Sequence, residues 1–401
     1  PVPASKSYAH RFFIAAALSR APVTIHCRGV CGDIRATLSC LQALGADIRE
    51  IAPETYEVAP LLAPRRKPCI LPCRESGATL RFLLPLVGAL GINAVFHREG
   101  RLPQRPLEPL LAELVRHGMS ATADGCDLHC QGQLRSGDYV LPGDVSSQFV
   151  SALLLALPLL PGDSTLTLTS APGSAPYIAM TEEVLAAAGI SLYRTGSRPG
   201  GQRYRLPSPL TVEGDWSSAA FFLCAGAMSR EGIAVDGLSL PTRQGDSALL
   251  PLLRQMGAVV NLSSGCITIR KGRLRATDID ARPIPDLIPP LSVLAAAAEG
   301  ESHIQNARRL RYKESDRLQG IAELLNSLGG CLTVDGDGLL IHGVSHLQGG
   351  TVDPMGDHRL AMSAALAALS ADAPVTVRDA DCVSKSYPAF WADYGQMTIS
   401  R

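Results

Sequence analysis

Lys6, Arg11, Arg81, His358 and Arg359 lie at the starts of Ala/Leu-rich segments, in KSYAHRFFIAAAL, SGATLRFLLPLVGAL and GDHRLAMSAALAAL. Such segments read as helices, and a helix N-terminus carries roughly +0.5 of a charge that favours acids. Cations collected at that end have no capping role. Joined to exposed backbone N–H groups they make sites for anions, and Arg forks match phosphate and carboxylate. The chemistry this predicts is the gripping of a small molecule with several negative charges.

Other starts carry Ser146, Ser147 and Gln148, or Asp215, Ser217 and Ser218. Capping of orphan N–H groups accounts for the last three. Asp286, in IPDLIPP, has apolar neighbours and two nearby breaks, a setting that raises a carboxylate's pKa towards base duty. In RRLRYKESDRLQGIAELLNSLG the apolar stripe runs through Leu318, Ile321, Leu324, Leu325 and Leu328. Extended back one turn it lands on Glu314 and Arg317, i and i+3 on one face. This places charges where a buried stripe should finish, so the first turn is expected to face a cleft. Asp286, Glu314, Lys6 and Lys385 form a candidate acid/base set. Neither a G-x-x-x-x-G-K-[ST] loop, nor G-x-G-x-x-G between strand and helix, nor a G-x-S-x-G elbow occurs, which leaves nucleotide-driven, NAD and serine-hydrolase chemistry without support.

The elements that must position these residues repeat. A helix ending in glycine and followed by a strand recurs at Gly45, Gly118, Gly189, Gly257, Gly329 and, weakly, Gly395, with glycine as C-cap. A second pattern interleaves with it: a polar cluster, an Ala/Leu-rich helix, a short turn and a β-branched strand such as VTIHC, NAVFH, STLTLT, IAVDGL, SHIQNA or PVTVRD. Units of about 70 residues are too long for an ordinary solenoid. Three units in each of two domains, divided near PSPLTVEGD, fit better. The helices are apolar nearly all round and the strands alternate, so the helices should lie inside and the strands outside, in an α/β or α+β fold.

At 401 residues the chain calls for two domains. Lys+Arg and Asp+Glu are both 37, so no global field attracts nucleic acid or an anionic membrane. Aromatics at 5% are thin for stacking on bases. The longest apolar run, FVSALLLALPLL, is broken by Ser151 and Pro158 and falls short of a spanning helix. The cations before FFIAAAL imitate a secretory signal, but the pattern recurs five more times, so a cytosolic protein is expected. The eleven cysteines suit a reducing compartment. The pairs Cys27/Cys31, Cys69/Cys73 and Cys126/Cys130 are expected to be small buried hydrophobes without metal, the last two facing one side of a strand.

At these residues the sequence resembles the 5-enolpyruvylshikimate-3-phosphate synthase family of enolpyruvyl transferases. The resemblance covers essentially the whole chain and rests on SKSYAHR, ESGATLRF, QRP, VSSQF, SAPYI, EGDWSSA, QGD, IPD, RYKESDR, GDHRLAM and SKSYP, in that order. It implies a two-domain inside-out α/β barrel of six βαβαββ units, with domains over 1–210 and 211–401 and substrates in the cleft between them. It implies transfer of the enolpyruvyl group of phosphoenolpyruvate to the 5-hydroxyl of shikimate 3-phosphate, with release of phosphate. It requires no metal or organic cofactor, and implies a monomer with small-molecule partners.

Carried over by motif, Lys6, Ser7 and Arg11 would grip shikimate 3-phosphate, with Lys6 also reaching phosphoenolpyruvate. Ser146, Ser147 and Ser174 would hold the shikimate phosphate, Gln148 would lie between the substrates, Tyr177 would pack on the ring and Lys313 would bind on the same side. Gly77, Arg105, Arg317, Arg359 and Lys385 resemble the phosphoenolpyruvate contacts. Asp286 resembles the base or orienter at the 5-hydroxyl. Glu314, with Lys385 or Lys6, resembles the acid/base at the methylene carbon. His10 receives no role and is expected to be a neutral packing residue.

Two positions depart from the family pattern. Ala78 stands where the family often has threonine, in the wall of the phosphoenolpyruvate pocket, and Arg309 where some members have asparagine. Members also carry a strand ahead of the position matching Pro1, whereas this sequence opens at Pro1. The sister family acting on UDP-N-acetylglucosamine has a loop cysteine where this chain has Gly100, and no cysteine lies between Cys73 and Cys126. A non-enzymatic repeat-built binding protein is disfavoured by the zero charge and the cations at the helix starts.

Overall fold

The computed structural model describes residues 1–61, 68–191, 197–263 and 265–399. Its helices, in chain order, are α1 (Lys6–Ala17), α2 (Gly32–Leu44), α3 (Gly77–Ala89), α4 (Leu110–Arg116), α5 (Ser147–Ala156), α6 (Ala175–Ala187), α7 (Trp216–Met228), α8 (Leu249–Gln255), α9 (Ile288–Ala296), α10 (Arg317–Ser327), α11 (His358–Ala367) and α12 (Phe390–Ile399). Side-chain caps start several of them. Ser5, Ser76 and Ser146 accept from the N–H groups of Tyr8, Thr79 and Gln148, and Asp215, Asp316 and Asp357 from those of Ser218, Gln319 and Arg359. Each cap satisfies a donor that the helix leaves orphaned.

The chain divides into two compact units: Ala4–Val212, and Glu213–Arg401 together with Pro1–Pro3. The first three residues lie with the second unit because Val2 N–H donates to Asp236 O and Asp215 N–H to Pro3 O. The PSPLTVEGD stretch, expected only to break the repeat, supplies a strand. Leu210–Thr211 runs parallel to Val23–His26 and so belongs to the first unit.

Within each unit one sheet pattern recurs. In the sheet Cys69–Arg74, Ala94–Arg98, Asp127–Gly132, Met119–Asp124 the first pair is parallel, with α3 in the connection, and the rest is an antiparallel hairpin. Ile279–Asp280, Glu301–Gln305, Gly338–His342 and Cys331–Asp335 repeat that order in the second unit. This is a βαβαββ unit. The strands VTIHC, NAVFH, STLTLT, IAVDGL, SHIQNA and PVTVRD all form where the sequence places them. Along Glu301–Gln305 every second side chain is buried, whereas all residues of α9 are. Helices therefore fill the interior and the sheets cover them with one face towards solvent.

Gly45, Gly118, Gly189, Gly257 and Gly329 follow their helices with positive φ, the left-handed conformation that costs glycine least. Gly395 does not. It lies inside α12, so the sixth copy of that pattern is a continuous helix. The strand expected after Gly189 runs into 192–196, outside the described residues. Cys126 also departs from expectation: it is exposed and precedes the strand that buries Cys130.

The first turns in the first unit are tied by buried hydroxyls. His10 Nδ1 meets Thr37 Oγ1 at 2.7 Å, Thr37 meets Thr79 Oγ1 at 2.7 Å, and Thr79 donates to the capping Ser76 Oγ at 2.7 Å. Burial lowers the His10 pKa to about 3, with Asp33 opposing and Lys6 reinforcing. The imidazole is neutral, as expected. Between pH 6.5 and about 3 the unfolded chain binds a proton at His10 that the folded chain refuses, so stability falls as pH drops through that window. The slope is up to about 1.4 kcal/mol per pH unit. Urea unfolding at stepped pH should show it, and His10→Gln should lose that component.

Candidate active site

In the first unit the candidate residues lie at or beside the first turns of α1, α3, α5 and α6, and buried cations join those turns. Lys6 opens α1 and its Nζ lies 2.8 Å from Asp33 Oδ2, in the first turn of α2. Asp33 thus supplies the negative charge that the anomalous Lys6 needs in the protein itself. Arg11 is only 2% exposed. Its Nε donates to Thr181 Oγ1 (2.7 Å), its Nη1 to Ser7 O (2.6 Å) and its Nη2 to Ser151 Oγ (3.2 Å) and Tyr177 O (3.0 Å). It also lies over the Phe82 ring at 4.9 Å, and burial lowers its pKa to about 10. Arg11 therefore knits α1 to α5 and α6, and its hydrogen bonds hold the Ser7 and Tyr177 backbones.

Arg81, on α3, donates from Nη1 to Gln148 Oε1 at 2.7 Å and from Nη2 to Pro106 O at 3.0 Å. That contact sets the amide orientation of Gln148 on α5. Ser146 caps the same helix, Ser147 is buried beside it, and Ser174 is the N-cap residue of α6. Gly77 opens α3 at a point of close approach. A Cβ there would lie 2.9 Å from Arg105 Nη1 and 2.9 Å from Arg81 Nη1. Glycine at 77 lets both guanidinium groups reach the helix start. Gly77→Ala should displace them and weaken anion binding at this helix start about tenfold, roughly 1.4 kcal/mol, as calorimetric titration with inorganic phosphate would measure.

In the second unit Asp286, Lys313, Glu314, Arg317 and Arg359 form one cluster. Arg317, 1% exposed, is its hub. Its Nη1 lies 3.0 Å from Asp286 Oδ1, its Nη2 2.6 Å from Glu314 Oε2 and its Nε 2.8 Å from Asp357 Oδ2. Lys313 Nζ approaches Asp286 Oδ1 at 3.3 Å, and Arg359 Nη2 approaches Asp286 Oδ2 at 3.4 Å. Glu314 and Arg317 do meet, but not as i and i+3 of one helix face. α10 begins at Arg317 behind the cap Asp316, so Glu314 lies outside the helix. Lys385 ends the short helical stretch Ala380–Lys385 and is half-buried.

The electrostatics correct one expectation. Burial pushes the Asp286 carboxyl up, but Arg359, Lys313 and Arg317 together outweigh it and hold the group well below the usual carboxylate range. Apolar neighbours in sequence do not reveal three cations brought in from α10, α11 and the loop before α10. Burial draws the Lys313 ammonium down to about 8, with Asp286 opposing. For Arg317 the desolvation cost is overcome by Asp357, Glu314 and Asp286, which raise its pKa.

Sequence alone assigns several members of this arrangement no functional role. Capping alone accounts for Ser217 in the sequence, yet its hydroxyl accepts from Arg359 Nη2 at 2.8 Å and donates to Asp215 Oδ1 at 2.8 Å. Asp357 caps α11 through Arg359 N–H and also takes Arg317 and Ser315 Oγ (2.9 Å). Its place in GDHRLAM was the available signal; Asp33 had none. Asp357→Ala removes the α11 cap and one of the three carboxylates on the buried Arg317, so it should cost about 2–4 kcal/mol in urea unfolding.

The family model for EPSP synthase (3-phosphoshikimate 1-carboxyvinyltransferase) matches residues 1–394. A 3-phosphoshikimate 1-carboxyvinyltransferase from Clostridium acetobutylicum is 38% identical over 405 residues, 99% of this chain and 94% of that protein. Among solved structures, EPSP synthase from Acinetobacter baumannii superposes with a TM-score of 0.78 at 26% identity, over 99% of this chain and 94% of that one. The enolpyruvyl transferase NikO from Streptomyces tendae shares the fold, with a TM-score of 0.79 at 23% identity over 99% of this chain and 94% of that one. The chain belongs to the EPSP synthase family.

Proposed function

We propose that the chain transfers the enolpyruvyl group of phosphoenolpyruvate to the 5-hydroxyl of shikimate 3-phosphate, releasing phosphate, and that the two clusters described above carry the reaction. The observation that supports this most is the Asp286–Arg317–Glu314 arrangement: two carboxylates held by one buried guanidinium, in a chain that belongs to this family.

Both substrates are polyanions, and the cations have the matching charge. Lys6, Ser7, Arg11, Ser146, Ser147, Gln148, Ser174, Tyr177, Asp286 and Lys313 are assigned to shikimate 3-phosphate. Lys6, Gly77, Arg105, Gln148, Arg317, Arg359 and Lys385 are assigned to phosphoenolpyruvate. Two of these carry a structural condition. Arg11 already donates to four protein oxygens, and Arg317 to three carboxylates. Each guanidinium thereby keeps one of its five N–H donors, on Nη1, for a substrate, and Arg317 also acts through Glu314 and Asp286.

In the addition step the methylene carbon gains a proton from Glu314, assisted by Lys6 or Lys385. The neighbouring carbon becomes cation-like and forms a bond to the 5-oxygen, whose proton leaves towards Asp286. In elimination the methyl group returns a proton, the double bond reforms and the carbon–oxygen bond to phosphate breaks. Asp286, held acidic by its cations, first orients the hydroxyl and becomes a useful acceptor only as that oxygen turns acidic in the addition step. Arg359, Arg105 and Lys385 balance the charge on the departing phosphate.

The same reading makes the chain a cytoplasmic monomer whose partners are small molecules; the balanced charge supports the absence of a nucleic-acid or membrane partner. Among the described residues no helix is long and apolar enough to cross a membrane. Running the reaction in D2O tests the mechanism. Deuterium should enter the methylene group of the product, and its complete absence at high conversion would rule out protonation of that carbon.

A further inference from the structure

Asp246, in the QGD motif, has no part in the roles above, yet it lies in the same charged cluster. It sits in the short turn Gly245–Ala248 ahead of α8 and is 6% exposed. The turn is pinned to the start of α7. Gln244 Nε2 donates to Gly214 O at 2.8 Å and to Glu213 Oε1 at 2.6 Å, and Gln244 Oε1 accepts from Trp216 N–H at 3.1 Å. Asp246 therefore has little freedom to withdraw. The groups around it are Asp286, ahead of α9; Arg359, on α11; Asp215, the α7 cap; and Lys313, in the loop before α10. Asp246 Oδ1 is buried and makes no hydrogen bond among the described residues.

A buried carboxylate oxygen without a donor is expensive, and the group avoids that cost by keeping its proton. The neighbouring cations are also already committed. Arg359 is bonded to Ser217 and lies close to Asp286, and Lys313 faces Asp286. A third negative charge beside Asp215 and Asp286 would compete for those same cations. Burial and Asp286 together raise the Asp246 pKa to about 8, against Arg359.

We infer that Asp246 is a positioning residue that works as a neutral acid: its retained proton leaves Arg359 and Lys313 directed at Asp286 and at the incoming anions. The role rests on the proposed duties of Asp286, Lys313 and Arg359. When Asp246 ionises it draws on those cations, so anionic substrates bind less well on the alkaline side. Because Lys313 titrates in the same region, the informative quantity is a difference between variants.

Infrared difference spectroscopy of the substrate-free protein tests the protonation state. At pH 7 the wild type should show a neutral carboxylic acid C=O band that disappears through about pH 8, and Asp246→Asn should lack it. Kinetics test the role: from pH 7 to 9, KM for phosphoenolpyruvate should rise at least roughly threefold less in Asp246→Asn than in the wild type, the loss of one nearby charge interaction. A wild type without the band at pH 7, or a variant whose KM profile superimposes on the wild type, would overturn the inference. If Asp246→Asn fails to fold, the wild-type infrared titration decides alone. Failure of the Asp286 assignment is read separately, from undiminished turnover of Asp286→Ala; the Asp246 band needs no substrate.

Discussion

Glu314→Gln should turn over about 10²–10⁴-fold more slowly than the wild type, the usual worth of a positioned acid/base group. The amide keeps the shape and an oxygen for Arg317 but cannot deliver a proton to the methylene carbon. Arg317 retains Asp357 and Asp286, so the fold should survive, as circular dichroism and urea unfolding would register. The loss should appear in kcat with little change in KM for shikimate 3-phosphate, because the missing interaction is made in the transition state. Near-normal turnover would remove Glu314 from the chemistry.

Lys6→Met is the second large effect. The ammonium is assigned to both substrates, and its removal also leaves Asp33, 8% exposed, without its cation at the start of α2. Two penalties follow. Turnover per substrate should drop by about 10³-fold or more in kcat/KM, roughly 4 kcal/mol. Stability should fall by about 1–3 kcal/mol for the lost Lys6–Asp33 pair. Lys6→Met combined with Asp33→Asn separates them. The double variant should recover stability in urea but not activity. Recovery of activity as well would mean that Lys6 serves only to neutralise Asp33.

Chemistry was legible in the sequence wherever a residue type opposed its local setting. Cations at helix starts stood out against the dipole: α1 and α11 do begin at or beside Lys6 and Arg359, and Arg81 lies one turn into α3. The repeat was legible because each unit needs the same periodicities, two for its half-buried strands and 3.6 for its interior helices. What sequence could not supply was the partner across a distance. Asp33 is 27 residues from Lys6, and Ser217 is 142 from Arg359. The low pKa of Asp286 depends on three cations that only folding assembles. Gly395 shows the converse: a helix–glycine pattern too short to outweigh the aromatic packing of Phe390 with Trp391 and Tyr394 along α12.

The central claim is the reaction itself, and phosphate release measures it most directly. The purified chain should release phosphate when shikimate 3-phosphate and phosphoenolpyruvate are both present, one phosphate for each enolpyruvyl ether formed, and none when either is omitted. Release with UDP-N-acetylglucosamine in place of shikimate 3-phosphate, and none with shikimate 3-phosphate, would contradict it.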